Sequence, residues 1–264
     1  MSSRTETARA AARFRWPAGR RAAVSITFDD ARPSQLDRGL PILDALGIRA
    51  TFYVSLTAAE ARIDEWRGAA SRGHEIGNHT ASHPCSGHFK FSRHNALEDY
   101  TIDRMRRDIL DANAQLEALF GTPPVTFAYP CGQTFVGRGE SQRSYVPLVA
   151  GHFLVGRRAF DEAPNDPVCC DLAHAMGMDM DCADWPSVKQ LIDKSVDEGR
   201  WLILLGHEVG DAGRQVTPAH TLEKLCRHCN DPKNDIWIDT VAAVGSYIDR
   251  QRRITSTTNG PTSE

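Results

Sequence analysis

A surplus of positive charge is missing from this sequence. Over 264 residues, 31 Lys and Arg stand against 34 Asp and Glu, a formal net charge of −3. Nucleic-acid binding usually shows as a basic excess, so no nucleic-acid partner is expected. Long apolar runs are missing too. The longest, Trp201–Leu205, is strand-sized, and nothing approaches the roughly 20 residues of a membrane span, so no membrane partner is expected. Residues 1–23 are rich in Ala and Arg but lack the apolar stretch of a secretory signal, and none follows Arg20-Arg21. The expectation is a cytoplasmic protein. The seven cysteines are odd in number and irregular in spacing, which is no disulfide framework. There is no internal repeat and no long linker.

What is there resembles an ordinary folded domain. Hydrophobic residues make up 41% and charged residues 25%, which excludes global disorder. A chain of this length can bury an ample core without disulfides. Residues 1–19 and 254–264 read as tails, leaving one domain over 20–253. Within it, short apolar runs at Ala22–Thr27, Arg49–Val54, His74–Gly77, Val125–Tyr129, His152–Val155 and Trp201–Leu205 read as strands. Helical periodicity falls at Ser34–Leu46, Ile63–Arg72, Leu97–Phe120, Pro186–Glu198, Ala219–Cys229 and Ile238–Gln251. Strand and helix alternate, so the fold class is α/β with a largely parallel sheet. Periodicity does not say whether that sheet is open or closed.

Polar clusters follow several strands: Asp29-Asp30, Asn78-His79, Pro130-Cys131-Gly132 and His207-Glu208. In parallel α/β folds, sites gather at the carboxyl ends of strands, so the four clusters point to one shared site. Two adjacent carboxylates repel unless a cation or proton separates them, although Asp29-Asp30 alone also fits a surface turn with a helix cap. His79 and His83, spaced i and i+4, would share one face of a helical turn and could bind one metal; alone they also fit a polar loop. One carboxylate with two imidazoles leaves metal positions open. His207 follows a buried-strand run and is a candidate proton donor, or a satisfied histidine at a strand end. Asp181 and Asp184 could orient it and Trp185 could offer an aromatic wall; a helix cap followed by a packing tryptophan is the plainer alternative. Cys169-Cys170 and Cys226-x-x-Cys229 read as ordinary residues, and Gly132–Arg143 reads as a long loop over the site.

In this order, Thr27-Phe-Asp-Asp30, His79-Thr-x-x-His83, Phe127-x-x-Pro-x-Gly132, Asp181-x-x-Asp184-Trp185 and Leu202–His207 resemble the polysaccharide deacetylase family, the NodB-homology domain of carbohydrate esterase family 4. The resemblance covers residues 24–207. It implies a single-domain distorted (β/α) barrel with one divalent metal in its mouth, most often zinc, with cobalt, nickel or manganese as other candidates. It implies Asp29 as general base, Asp30, His79 and His83 as metal ligands, and His207 as general acid. In the Tyr129-Pro130-Cys131 stretch, the Cys131 N–H would help hold the oxyanion. The implied reaction removes acetyl groups from an N-acetylated, or O-acetylated, carbohydrate. Many relatives carry an arginine two residues before the proline, where it pairs with the base; here that position is Ala128. Arg143, Arg157 and Arg158 are candidates to replace it. The competing functions are an amidohydrolase or esterase acting on a small non-sugar acyl compound, a carbohydrate-binding homologue with impaired turnover, and a structural zinc protein built on the cysteines.

Overall fold

The computed structural model describes residues 14–258. Its strands are β1 (Ala22–Asp29), β2 (Thr51–Val54), β3 (Glu75–Asn78), β4 (Thr126–Ala128), β5 (Phe135–Val136), β6 (Arg143–Ser144), β7 (Val155–Arg157), β8 (Met178–Asp179), β9 (Trp201–Gly206), β10 (Glu208–Gly210), β11 (Val216–Pro218) and β12 (Ile236–Ile238). Eight of these form one sheet in the order β7-β4-β3-β2-β1-β9-β8, with β12 also paired to β1. All its pairings are parallel. One side of β1 pairs with β9 over Ala23–Phe28, and the other is shared along its length. Ala22–Val24 pairs with β12, and Thr27–Asp29 pairs with β2.

The sheet curls into the distorted (β/α) barrel that the motifs imply. Residues 175–179 draw its two edges together. Arg158 N–H, just after β7, donates to Ala175 O at 2.7 Å, and Met178 pairs with Leu204 of β9. Every residue of β1 is buried, as expected where a parallel sheet is covered on both faces. Alternation then sorts its side chains. Val24, Ile26 and Phe28 face the outer helices, where Trp66, Leu116, Ile192 and Leu222 complete the core. Ala23, Ser25, Thr27 and Asp29 fall on the other face. Ala23 joins Trp201, Ile203, Val241, Val244 and Ile248 in a separate cluster at the floor. Glu75 is half-buried beneath the barrel and accepts from Thr51 Oγ1 at 2.8 Å and from the Ala242 N–H at 2.9 Å. Burial raises its pKa, against those hydrogen bonds. It thereby ties the start of the final helix to the floor.

Several boundaries differ from the sequence reading. The expected tail 1–19 is packed from residue 14 onward: Trp16 is 3% exposed, its indole N–H donates to Gly199 O at 3.1 Å, and its ring stacks on Tyr247. Residues 1–13 lie outside the described residues, as do 259–264. The final helix spans Val241–Thr258, past the expected end of the domain, and β12 occupies the segment before it. The helix expected from Leu97 is a short 3-10 turn, Leu97–Asp99, then a helix at Ile102–Phe120 started by the Thr101 cap. The strand expected at His152–Val155 runs instead over Val155–Arg157, and this shift matters for the site.

Replacing Trp16 with Ala should lower unfolding stability by about 3–5 kcal/mol, the usual range for emptying a buried tryptophan site. Urea unfolding followed by circular dichroism checks this; an unchanged midpoint would mean that the residue is no part of the core.

Candidate active site at the barrel mouth

Asp29 ends β1 on its inward face, so alternation alone would send Asp30 outward. Asp30 and Ala31 instead take left-handed backbone angles, with φ of 75° and 53°. The Asp30 N–H donates to Tyr53 O at 2.9 Å, which holds this bend. Both carboxylates therefore line the same cavity, with His79, His83, Cys131 and His207. The cavity volume is about 430 Å³.

His79 and His83 are not on a helical turn, contrary to the reading of their spacing. Thr80 and His83 both have left-handed φ, 63° and 48°, which a helix excludes. The turn is held by side chains. Asn78 Oδ1 accepts from the Thr80 N–H at 2.6 Å, and Thr80 Oγ1 from the His83 N–H at 2.9 Å. Asp108 Oδ1 accepts from the N–H groups of both Ala81 and Ser82 at 2.9 Å. The result still brings the rings together, 4.8 Å apart. Asp30 Oδ1 lies 3.7 Å from His79 Nε2 and 3.5 Å from His83 Nε2.

His207 follows β9. Its Nδ1 lies 2.6 Å from Asp181 Oδ2, and its N–H donates to Asp181 Oδ1 at 3.2 Å. Thr217 Oγ1 donates to the same Asp181 oxygen at 2.9 Å. Burial disfavours a charged His207. The Asp181 hydrogen bond and the charges of Asp29, Asp181 and Asp30 outweigh it, so its pKa is raised. Asp184 and Trp185 do not join this group. Asp184 caps the helix Trp185–Glu198 by accepting from the Ser187 N–H at 3.0 Å, and the Trp185 ring packs edge-on to His228. Of the three residues of that motif, only Asp181 reaches the histidine.

Arg157 takes the place of the missing arginine. It is fully buried, and its Nη2 donates to Asp29 Oδ1. Arg143 is instead bonded to the carbonyls of Glu140 and Gln142, and Arg158 pairs with Asp161. The register explains the substitution: Ala128 of β4 is the ladder partner of Arg157 of β7. The guanidinium comes from the adjacent strand at the same height, over the Tyr53 ring. Burial opposes an ionised Asp29. Arg157, His79 and His207 overcome it, and its pKa is lowered.

The Tyr129-Pro130-Cys131 stretch divides. Tyr129 is buried and donates its hydroxyl to Ala173 O at 2.6 Å, so it supports the barrel wall. Pro130–Gly132 forms a short 3-10 turn in which Cys131 has φ of 54°. The turn's bonds run from Gly132 N–H to Tyr129 O and from Gln133 N–H to Pro130 O; the Cys131 N–H belongs to neither. Cys131 is disulfide-bonded to Cys85, against the expectation drawn from cysteine count and spacing. The two are 46 residues apart in sequence and meet only through the fold.

Asp30, His79 and His83 suit a divalent metal by the chemistry of their donors. One carboxylate oxygen and two imidazole nitrogens all lie within 4.8 Å of one another. His79 Nδ1 is 2.9 Å from Ala128 O, which fixes the tautomer and leaves the Nε2 lone pair facing Asp30. Burial, offset in part by Asp29, lowers the His79 pKa to about 4, so the ring is neutral and able to ligate. Asp108 went unnoticed in the sequence. The signal was an aspartate among Met105, Ile109, Ala112 and Leu116, the buried stripe of its helix.

The polysaccharide deacetylase family model matches residues 17–138, so the resemblance carried by the motifs is shown. A candidate polysaccharide deacetylase from Mycobacterium smegmatis superposes with a TM-score of 0.67 at 19% identity, over 92% of this chain and 95% of its own. The peptidoglycan deacetylase PdaC from Bacillus subtilis superposes with a TM-score of 0.53 at 19% identity, over 89% and 95%. At such identities these likenesses concern the fold. A gellan lyase from Bacillus sp is 22% identical over 80% of this chain but only 8% of its own length. The chain thus spans a small part of the curated relatives it matches.

Removing one partner of a buried ion pair leaves an uncompensated charge, which usually costs about 3–5 kcal/mol. Arg157→Met should therefore destabilise the protein by that amount, and Asp29→Asn in the same chain should restore most of it. A double variant no more stable than the single one, in denaturant titrations, would break the pairing.

Proposed function

From the match of residues 17–138 to the polysaccharide deacetylase family, we propose that this chain is a divalent-metal-dependent hydrolase that removes acetyl groups from an N-acetylated, or O-acetylated, carbohydrate. The observation that carries the reading is convergence. An arginine-locked carboxylate, an aspartate-oriented histidine and an Asp-His-His donor set line one cavity. Phe89, Phe91 and Phe160 line it as well and are 43%, 58% and 57% exposed. Exposed rings at a polar mouth offer apolar faces to a sugar ring.

Asp30, His79 and His83 would hold the ion; zinc suits two imidazoles and a carboxylate. When bound, it supplies Lewis acidity at the acyl oxygen and lowers the pKa of a water. Asp29 accepts the proton of the attacking water at Oδ2, since Oδ1 is engaged by Arg157. The Cys131 N–H donates to the oxyanion of the tetrahedral intermediate. Loss of an amine anion is prohibitive near neutral pH, so His207 delivers a proton to the leaving nitrogen. Its Nδ1 is held by Asp181, which leaves Nε2 for that transfer.

Acetate release from acetylated oligosaccharides should require zinc or cobalt and stop with a chelator. Release confined to small N-acetyl compounds would overturn the carbohydrate assignment. Asp30→Ala should lose metal and activity together. Asp29→Asn should keep its metal while kcat falls by roughly 10²–10⁴; metal loss in Asp29→Asn and retention in Asp30→Ala would exchange the two roles. The pH profile tests the acid. The acid form of His207 is present below its raised pKa and is lost above it. Asp181→Asn removes a support of that charge, so the alkaline limb of kcat/KM should move to lower pH. An unmoved limb would assign it to another group.

A further inference from the structure

The two ring nitrogens of His83 face different donors. Nε2 lies 3.5 Å from Asp30 Oδ1, toward the set described above. Nδ1 lies 3.7 Å from Cys85 Sγ. His79 differs, because its Nδ1 is committed to the Ala128 carbonyl. Cys85 is buried, and Cys131, its disulfide partner, lines the cavity. His83, Cys85 and Cys131 place one nitrogen and two sulfurs within 4.8 Å of one another. Two ligands on one tetrahedral zinc-like ion, at about 2.0 Å for nitrogen and about 2.3 Å for sulfur, stand roughly 3.5 Å apart. The Nδ1–Sγ separation is already close to that.

We propose that opening the Cys85–Cys131 bond turns His83, Cys85 and Cys131 into a second metal site, one that takes a thiophilic divalent ion and competes with Asp30 and His79 for His83. A dithiol opens the bond by exchange. Two electrons and two protons pass to the sulfurs, and the dithiol leaves as its own disulfide. The ion then displaces the two thiol protons to solvent and binds both thiolates and the Nδ1 lone pair. A neutral imidazole has one lone pair, so His83 serves one set at a time. Cys131 also carries the N–H assigned to the oxyanion, so an ion held there would displace that group as well. The site itself depends only on these three side chains and not on the hydrolase reading.

Metal-free protein titrated with cobalt(II) tests this. The oxidised protein has five free thiols, seven cysteines less the bonded pair, and should show no cobalt–thiolate charge-transfer absorption. After treatment with a dithiol and its removal under argon, the thiol count should rise to seven and the absorption should appear. Cys85→Ser and Cys131→Ser should each abolish the band, whereas His79→Ala, which touches only the first set, should keep it. A thiol count that does not rise overturns the proposal. So does a count of seven without the band, or a band that survives in both serine variants, which would place it on the other five cysteines.

Discussion

The buried pair of Arg157 with Asp29 is the constraint from which the rest of the site takes its geometry. Burial raises the pKa of a carboxylate such as Asp29 unless a cation lies against it. Here the cation comes from β7, across the ladder from Ala128. The small side chain at 128 leaves the inner wall free for the guanidinium, and Tyr53 lies beneath it. With one Asp29 oxygen held, the other is left to the cavity, and the charge that faces His79 and His207 is fixed in place.

Around that pair, the chain repeatedly adopts backbone angles that L-residues avoid. Asp30, Ala31, Thr80, His83 and Cys131 all have φ between 48° and 75°. Such conformations cost on the order of 1–3 kcal/mol each and persist only where the surroundings over-determine them. The surroundings are on view: Tyr53 O holds the Asp30 bend, Asp108 and Asn78 hold the histidine turn, and the disulfide holds the Cys131 turn. The strain is what points consecutive side chains into one space.

The parts legible in the sequence were those that regular structure carries. Buried parallel strands read as apolar runs, and the polar residues just beyond them, Asp29, Asp30, His79 and His207, come together at the mouth because all those strands run the same way. Asp181 was legible through its motif, while Asp184 and Trp185 followed the plainer pattern of cap and packing ring. What escaped was set by tertiary proximity. Arg157 lay beyond the expected end of its strand, and no local pattern marks a cross-strand replacement. Cys85 and Cys131 gave no spacing signal. Trp16 stood in an Ala- and Arg-rich stretch with no sustained apolar period to mark it. The irregular turn at His79–His83 shares its i, i+4 spacing with a helix, and only Pro84 hinted otherwise.

The floor of the barrel has a consequence of its own. Trp16 and the final helix meet there, among the starts of β1 and β9. The catalytic candidates stand at the other pole. Seven steps of about 3.3 Å separate Ala22 from Asp29, roughly 23 Å of strand. The described chain thus begins at the face opposite the mouth, and its final helix starts there too. A change at the floor therefore acts on stability from roughly 23 Å away, without touching the groups that line the cavity.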